Sequence, residues 1–318
     1  MKNKAIIFGL AVLALLFASC EEGPSGIFYR IAHEKPLYEN QTKGLIRSNP
    51  AFVARLGTTN YLGSGQLWSK ADGSNTWTVS GSLPAGVQGK SYFALSGVTV
   101  SSNLYVLFKD TNAGDLGVFS YDGSWSKLDI PTGQSAQKLL SANGKLFLAT
   151  YAKAGDDEKY WLYYLNGSAF YPAGATVQGS TDFSLPNSVA YANGTYYFTA
   201  GKSLLSGTDE TAIAVVSSST TEPKSPSTAI YGGIAAQGSS LVLSDKSGKL
   251  YASTDGNSWI TKTVDSNLSF TEPLFYDNNK LLVGTDAQPR SANDLPRASG
   301  YKEFTLSGTA LTEATASA

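Results

Sequence analysis

The feature that most constrains this chain is a repeat. Six times, a polar turn precedes a short run of apolar and aromatic residues. The turns read as Thr59-Asn60, Ser102-Asn103, Asn143-Gly144, Asn193-Gly194, Gly238-Ser239 and Asn278-Asn279. The runs behind them begin at Tyr61, Leu104, Leu146, Tyr196, Leu241 and Leu281, at spacings of 43, 42, 50, 45 and 40 residues. Asn-Gly is the strongest two-residue hairpin signal, because a type I′ turn needs positive φ at both central positions. A second element alternates with the first. An apolar strand leads to a tight turn (Asp72-Gly73, Asp122-Gly123, Asn166-Gly167, Ser206-Gly207, Asp255-Gly256, Ser307-Gly308) and then to an anchor expected to be buried. The anchors are Trp77, Trp125, Phe170, Ile213, Trp259 and Leu311, spaced by 48, 45, 43, 46 and 52 residues.

Two hairpins per period of about 45 residues make four strands per unit, which is the pattern of a β-propeller blade. One four-stranded sheet cannot bury both of its faces alone, and stacking around an axis covers them. The expectation is an all-β chain whose residues 49–318 form one propeller domain of six four-stranded antiparallel blades, with seven blades as the alternative. Residues 20–48 carry a further strand-like segment, Ile27 to Ile31, that would seal the ring or belong to a partial seventh blade. The Ser/Thr/Pro-rich stretch Ser217 to Thr228 reads as an inter-blade loop. Composition agrees. Charged residues are only 15%, and long Ala/Glu/Lys/Leu stretches are missing, which argues against a helical bundle. One Cys and one His exclude a disulfide framework and a His/Cys zinc cage. With 24 basic against 25 acidic residues, binding to nucleic acid by phosphate neutralisation is disfavoured.

The N-terminus reads as an address. A basic start, Met1 to Lys4, leads into an apolar run of 14 residues, Ala5 to Ala18, and then Ser19-Cys20. These are the parts of a signal peptide, residues 1–19, and the run is short of the roughly 20 residues a membrane span needs. Phe17-Ala18-Ser19-Cys20 resembles a bacterial lipobox, with Phe where that pattern prefers Leu. The resemblance implies cleavage before Cys20 and acylation of Cys20, palmitate included, with anchoring at the outer membrane facing the periplasm or the outside. Cleavage leaves 22 basic and 25 acidic residues, so the lipid and not a polybasic patch would hold the protein to the membrane.

Ser253-Thr254-Asp255-Gly256-Asn257-Ser258-Trp259 resembles the Asp-box of sialidase-like propellers in its shortened form, and Ser69 to Trp77 and Ser120 to Trp125 are looser copies. The resemblance implies structural roles for Ser253, Asp255, Gly256 and Trp259, for Asp122 and Trp125, and for Asp72 and Trp77. The Asp caps a tight turn, the Gly takes positive φ and the Trp plugs between blades. Tyr29-Arg30-Ile31-Ala32 is similar to the Phe/Tyr-Arg-Ile-Pro motif of sialidases, with Ala for Pro. That likeness implies Arg30 as one of three arginines clamping a substrate carboxylate. The middle-blade arginine is missing, since no Arg lies between positions 56 and 289, and a Tyr nucleophile with its Glu cannot be placed.

All five arginines, Arg30, Arg47, Arg55, Arg290 and Arg297, lie near the chain ends, which a closed ring would bring together. Arg30, Arg290 and Arg297 are therefore candidate anion-binding residues. Trp161 and Tyr164, within an aromatic-rich unit, are candidates for stacking on sugar rings. Asp156-Asp157-Glu158 reads as a solvated turn in the loop Lys153 to Lys159 and His33 as a lone turn residue. No catalytic set, cofactor or metal is expected. The expected role is a lipid-anchored cell-envelope module that binds or scaffolds a glycan or a protein. The alternative is a glycan-active enzyme of the sialidase-like class.

Overall fold

The computed structural model describes residues 50–111, 114–216, 223, 227–266, 268–277, 279–287 and 300–314. Residues Ser48–Gly73 and Thr78–Ala318 form one compact unit, and the short stretch Ser74–Trp77 falls outside it. Cys20, Arg30, His33 and the segment Ile27 to Ile31 lie outside the described residues. So do Arg47, Arg290 and Arg297.

Among the described residues, apart from one 3-10 turn at Ala175–Val177, the regular structure is all strand. Six antiparallel sheets follow one another along the chain, each made of consecutive strands in sequence order. They are the blades of a six-bladed propeller and are numbered 1 to 6 below. The strands nearest the axis, called inner strands, are Phe52–Leu56, Tyr92–Val100, Ser135–Ala142, Ser188–Ala192, Tyr231–Gln237 and Leu268–Asp277. Blade 3 carries one extra short strand, Gln178–Ser180, which pairs with its third strand, Asp157–Asn166, beside the outer strand Ala169–Pro172.

The turn after each of the first five inner strands begins with a residue at positive φ, Gly57 (57°), Ser101 (54°), Asn143 (48°), Asn193 (51°) and Gly238 (59°), and Asn279 (60°) lies in the turn after the sixth. Two expected turns are displaced. Thr59-Asn60 and Asn103 already lie in strands, and the chain reverses at Gly57-Thr58 and Ser101-Ser102 instead. The residue that tolerates the left-handed region sets the reversal, and the polar residues behind it begin the next strand. In blade 4, Ser206-Gly207 also belongs to a strand, and the turn follows where the Asp209 carboxylate accepts the Thr211 N–H at 2.8 Å.

The apolar runs are continuous because both faces of a middle blade are covered. In Asn103–Asp110, Leu104, Val106 and Phe108 join the cluster against blade 1, while Tyr105 and Leu107 join the cluster against blade 3. A fully buried side chain such as Phe108, with no exposed surface, contributes about 1.5–3 kcal/mol. Among the described residues, five such clusters fill the five junctions from blade 1/2 to blade 5/6. The anchors differ from expectation. Ile213 is fully buried, whereas Trp125, Phe170, Trp259 and Leu311 are half-buried at the blade edges. They sit on or beside outer strands, where the stack is widest and neighbouring blades diverge.

Inner strands are tied across blades by hydroxyl side chains. Ser96 of blade 2 accepts the Leu139 N–H of blade 3 at 3.0 Å and donates to its carbonyl at 3.4 Å. Ser188 of blade 4 repeats this on Ile234 of blade 5, at 3.1 Å and 2.9 Å. Ser244 of blade 5 donates to the Thr271 carbonyl of blade 6 at 2.6 Å. Glycines permit the approach. A Cβ on Gly97 would lie 2.3 Å from the Phe52 ring, and one on Gly232 would lie 2.2 Å from the Phe270 carbonyl oxygen. Blades 1 and 6 are the first and last along the chain, and among the described residues no strand of one pairs with the other. Exposed apolar side chains on these two blades include Val53 (65%) on blade 1 and Leu274 (61%) and Tyr301 (71%) on blade 6.

Removing the Ser96 hydroxyl leaves the buried Leu139 N–H without a partner. Ser96→Ala is expected to lower the unfolding free energy by about 1–3 kcal/mol with the denaturant slope unchanged. The exposed-strand control Ser126→Ala is expected to stay within about 0.5 kcal/mol of the parent. Urea titration of both variants checks the difference.

Candidate functional site: a polar cluster at the propeller axis

Charged side chains reach the axis where inner strands are irregular. In blade 3 the pairing with the second strand shifts between Ala149 and Thr150, which skips Gln137 and sets Lys138 beside the irregularity. In blade 6 the pairing shifts between Phe270 and Pro273, which leaves Glu272 out of the ladder. Such shifts re-aim side chains that regular alternation would send into the blade faces. Blade 4 places Asn187 and Ser188 between them, at the start of its inner strand.

The four residues form one network. The Lys138 ammonium donates to the Asn187 carbonyl. Asn187 donates through Nδ2 to the Gly232 carbonyl at 2.8 Å and accepts the Thr199 hydroxyl at 2.8 Å. Ser188 reaches Glu272 Oε1 as well as Ile234. Its single proton serves one acceptor at a time, the Ile234 carbonyl or the carboxylate. Burial lowers the Lys138 pKa from its ordinary value, against the opposing pull of the Glu272 charge. Burial likewise raises the Glu272 carboxyl, against the Ser188 hydrogen bond and the Lys138 charge. Glu272 is nevertheless solvent-accessible along the axis. Protein crowds it on most sides, while its open side faces the axial space.

Two cavities meet at this cluster. One, of about 450 Å3, is walled by Val189, Tyr191, Ile234, Pro273, Leu274 and Phe275, with Glu272 as its charged group. The other, of about 260 Å3, is shared by Phe52, Val98, Lys138, Leu140, Asn187 and Glu272. Glu272 and Val189 line both. The arrangement can accept a hydrogen bond or a positive charge beside a wall that mixes apolar side chains with polar surface.

The residues singled out from the sequence fall elsewhere. Trp161 and Tyr164 are half-buried on opposite faces of blade 3, Trp161 against the blade 2/3 cluster and Tyr164 against the blade 3/4 cluster beside Tyr171. They do not converge on one site. Arg55 pairs with Asp72 on the surface of blade 1. Asp72, expected to cap its own turn, is engaged by Arg55 and by Asn60 Nδ2 at 2.9 Å, and Trp77 lies outside the propeller unit. Those two donors reach it from the neighbouring strands.

The Asp122 carboxylate accepts the Ser124 N–H at 3.2 Å, and the Trp125 indole N–H reaches the Ser82 hydroxyl at 3.2 Å. Asp255 accepts the Asn257 and Ser258 N–H groups at 2.8 and 2.7 Å, and Ser253 Oγ accepts the Gly256 N–H at 2.8 Å. Gly256 has φ 75°, and a Cβ there would lie 1.8 Å from the Tyr197 hydroxyl. The Trp259 indole closes the turn on the Gly256 carbonyl at 3.0 Å. In the acidic stretch, Asp157 and Glu158 belong to a strand, not to a loop. Glu158 accepts the Tyr160 hydroxyl at 2.6 Å, which pushes that phenol up to about 12. Among the described residues, no group of three or more His, Cys, Asp or Glu is placed to hold a metal.

Lys138, Asn187, Ser188 and Glu272 were not singled out from the sequence. For Lys138 and Glu272 the only signal there is a lone charge inside an apolar stretch ahead of a hairpin turn, and Asn187 and Ser188 carry none.

No protein-family model and no curated protein sequence matches the chain. Solved structures do. The Dos1 propeller aligns with TM-score 0.53 and 12% identity, over 74% of this chain and 66% of that one. YCF48 from Cyanidioschyzon merolae aligns with TM-score 0.52 and 11% identity, over 77% and 81%. The extracellular domain of BT4673 from B. thetaiotaomicron aligns with TM-score 0.56 and 14% identity, over 84% of this chain and about a third (33%) of that one. At such identities the likeness establishes the β-propeller fold alone.

The backbone N–H groups of Ser258 and Asn257 pull the Asp255 carboxyl from 3.8 down to about 2. A depressed carboxyl stabilises the fold above its unfolded value, and that contribution disappears as pH falls through the folded value. The native chain is therefore expected to exceed Asp255→Asn in stability at neutral pH. The gap should close between about pH 4 and pH 2. Urea titrations across this window check it, and a gap that persists at the acid end contradicts the assignment.

Proposed function

We propose that this chain is a lipid-anchored cell-envelope binding module whose partner docks at the axis of the propeller. The observation that carries the reading is the cavity of about 450 Å3, lined by apolar side chains together with polar surface, with one carboxylate and with Leu274, 61% exposed, among its lining residues. Binding pockets typically have about this size, with mostly apolar linings and a few placed polar groups. The fold alone cannot choose a function, so the site carries the argument. A protein partner suits it better than a glycan. The wall is largely aliphatic, and the aromatic pair expected to stack on sugars is split between two blade faces. The anchor rests on the lipobox-like Phe17 to Cys20 behind a 14-residue apolar run.

Two experiments test the reading. A photoreactive phenylalanine at position 274 is expected to yield a discrete crosslinked species in intact envelopes. The same group at Ile260, 55% exposed on the outer strand of blade 5, is expected to yield none. Leu274→Asp should abolish co-purification of the crosslinked partner. Equal labelling at the two positions overturns axial docking. For the anchor, Cys20→Ala is expected to stop palmitate incorporation and move the chain from the membrane pellet to the soluble fraction, and retained label refutes acylation at Cys20.

A further inference from the structure

The two axial charges are not equivalent. Lys138 spends its ammonium on the Asn187 carbonyl and lines only the smaller cavity. Glu272 lines both, and it is the one charged side chain on the wall of the larger. One of its oxygens, Oε1, takes the Ser188 hydroxyl. Among the described residues, no protein donor reaches Oε2, and no salt bridge neutralises the carboxylate. A carboxylate crowded by protein, half satisfied and open to a cavity that offers it no other charge is an incomplete site.

We propose that the larger axial cavity receives a cationic group on an aliphatic stem, a lysine side chain of a protein partner, with Glu272 as the counter-charge. The stem would lie along Val189, Ile234 and Leu274, and the ammonium would meet Oε2. The raised Glu272 carboxyl is in keeping with this, because a carboxylate short of donors favours its neutral form until a cation arrives. An anionic ligand would face this carboxylate, and a neutral one would leave it unpaired. The inference rests on the axial-docking reading and deepens it.

The probe is N-acetyl-lysine methylamide, compared with N-acetyl-norleucine methylamide, which keeps the stem and lacks the charge. Both are titrated into the full-length chain in detergent by ligand-observed NMR. The lysine probe is expected to bind about tenfold more tightly, in line with one charge-assisted hydrogen bond, and Glu272→Gln is expected to erase that preference while norleucine affinity stays. Equal affinities for the unaltered chain overturn the proposal, as does a preference that survives E272Q. Should E272Q bind neither probe, E272D decides, since it keeps the charge: a restored preference supports the proposal and its absence overturns it. The outcome separates from that of axial docking. A partner crosslinked at position 274 without any lysine preference removes the counter-charge claim alone, and a lysine preference without a crosslinked partner leaves the cation site standing.

Discussion

Everything in this propeller depends on how the inner edge of each sheet is satisfied. A four-stranded blade presents its first strand to the axis with no further strand to pair it. Backbone N–H and C=O groups on that edge need partners wherever water is excluded. Ser96 and Ser188 supply both a donor and an acceptor to the next blade's inner strand, and Ser244 supplies a donor to the last. Such short side chains reach only if the strands nearly touch. That proximity explains Gly232 and Gly233 opposite blade 6 and the Phe52 ring held between Gly63 and Gly97. The interblade apolar clusters then close outward from the axis. Packing further out is thus tied to a polar contact at the centre, and the cost of losing one hydroxyl spreads over two blades.

The same crowding decides where charge is tolerated. Lys138 and Glu272 arise only at pairing irregularities, where a side chain escapes the blade face and points along the axis. There both are pulled toward their neutral forms by burial, and each is held by a single blade 4 partner, Asn187 or Ser188. Asn187 is fully committed to structure, bonded to Gly232 and Thr199. Ser188 is not: its proton has two possible acceptors, so the hydroxyl can respond to what happens at Glu272. The rigid frame and the adjustable group are neighbours in sequence.

Much of the architecture was legible because it is written in local chemistry. Asn143-Gly144 and Asn193-Gly194 turn where they were expected to, since few other residue pairs accept positive φ twice. Thr59-Asn60 misled because polarity alone does not mark a reversal, and Gly57 two residues earlier does. The buried anchors were over-read because Trp125 and Trp259 sit at blade edges, where half of a large ring remains in solvent. The axial cluster was illegible for a different reason. Lys138, Ser188 and Glu272 are separated by 50 and 84 residues, carry no motif and meet only through pairing shifts that sequence periodicity does not reveal. Asp255 shows the contrast: all its partners lie within three residues, so a short pattern suffices to describe its turn.

Among the described residues each blade is a contiguous piece of chain, and none shares a sheet with a distant segment. Among the described residues, nothing latches blade 6 to blade 1 through strand pairing. A load carried into one blade is therefore met first by that blade's own hydrogen-bond ladder. In blade 1, the hydrogen bonds from Phe52–Leu56 to the next strand run perpendicular to both and can open one at a time. Each such ladder is a unit of about 45 residues that force can open separately from its neighbours.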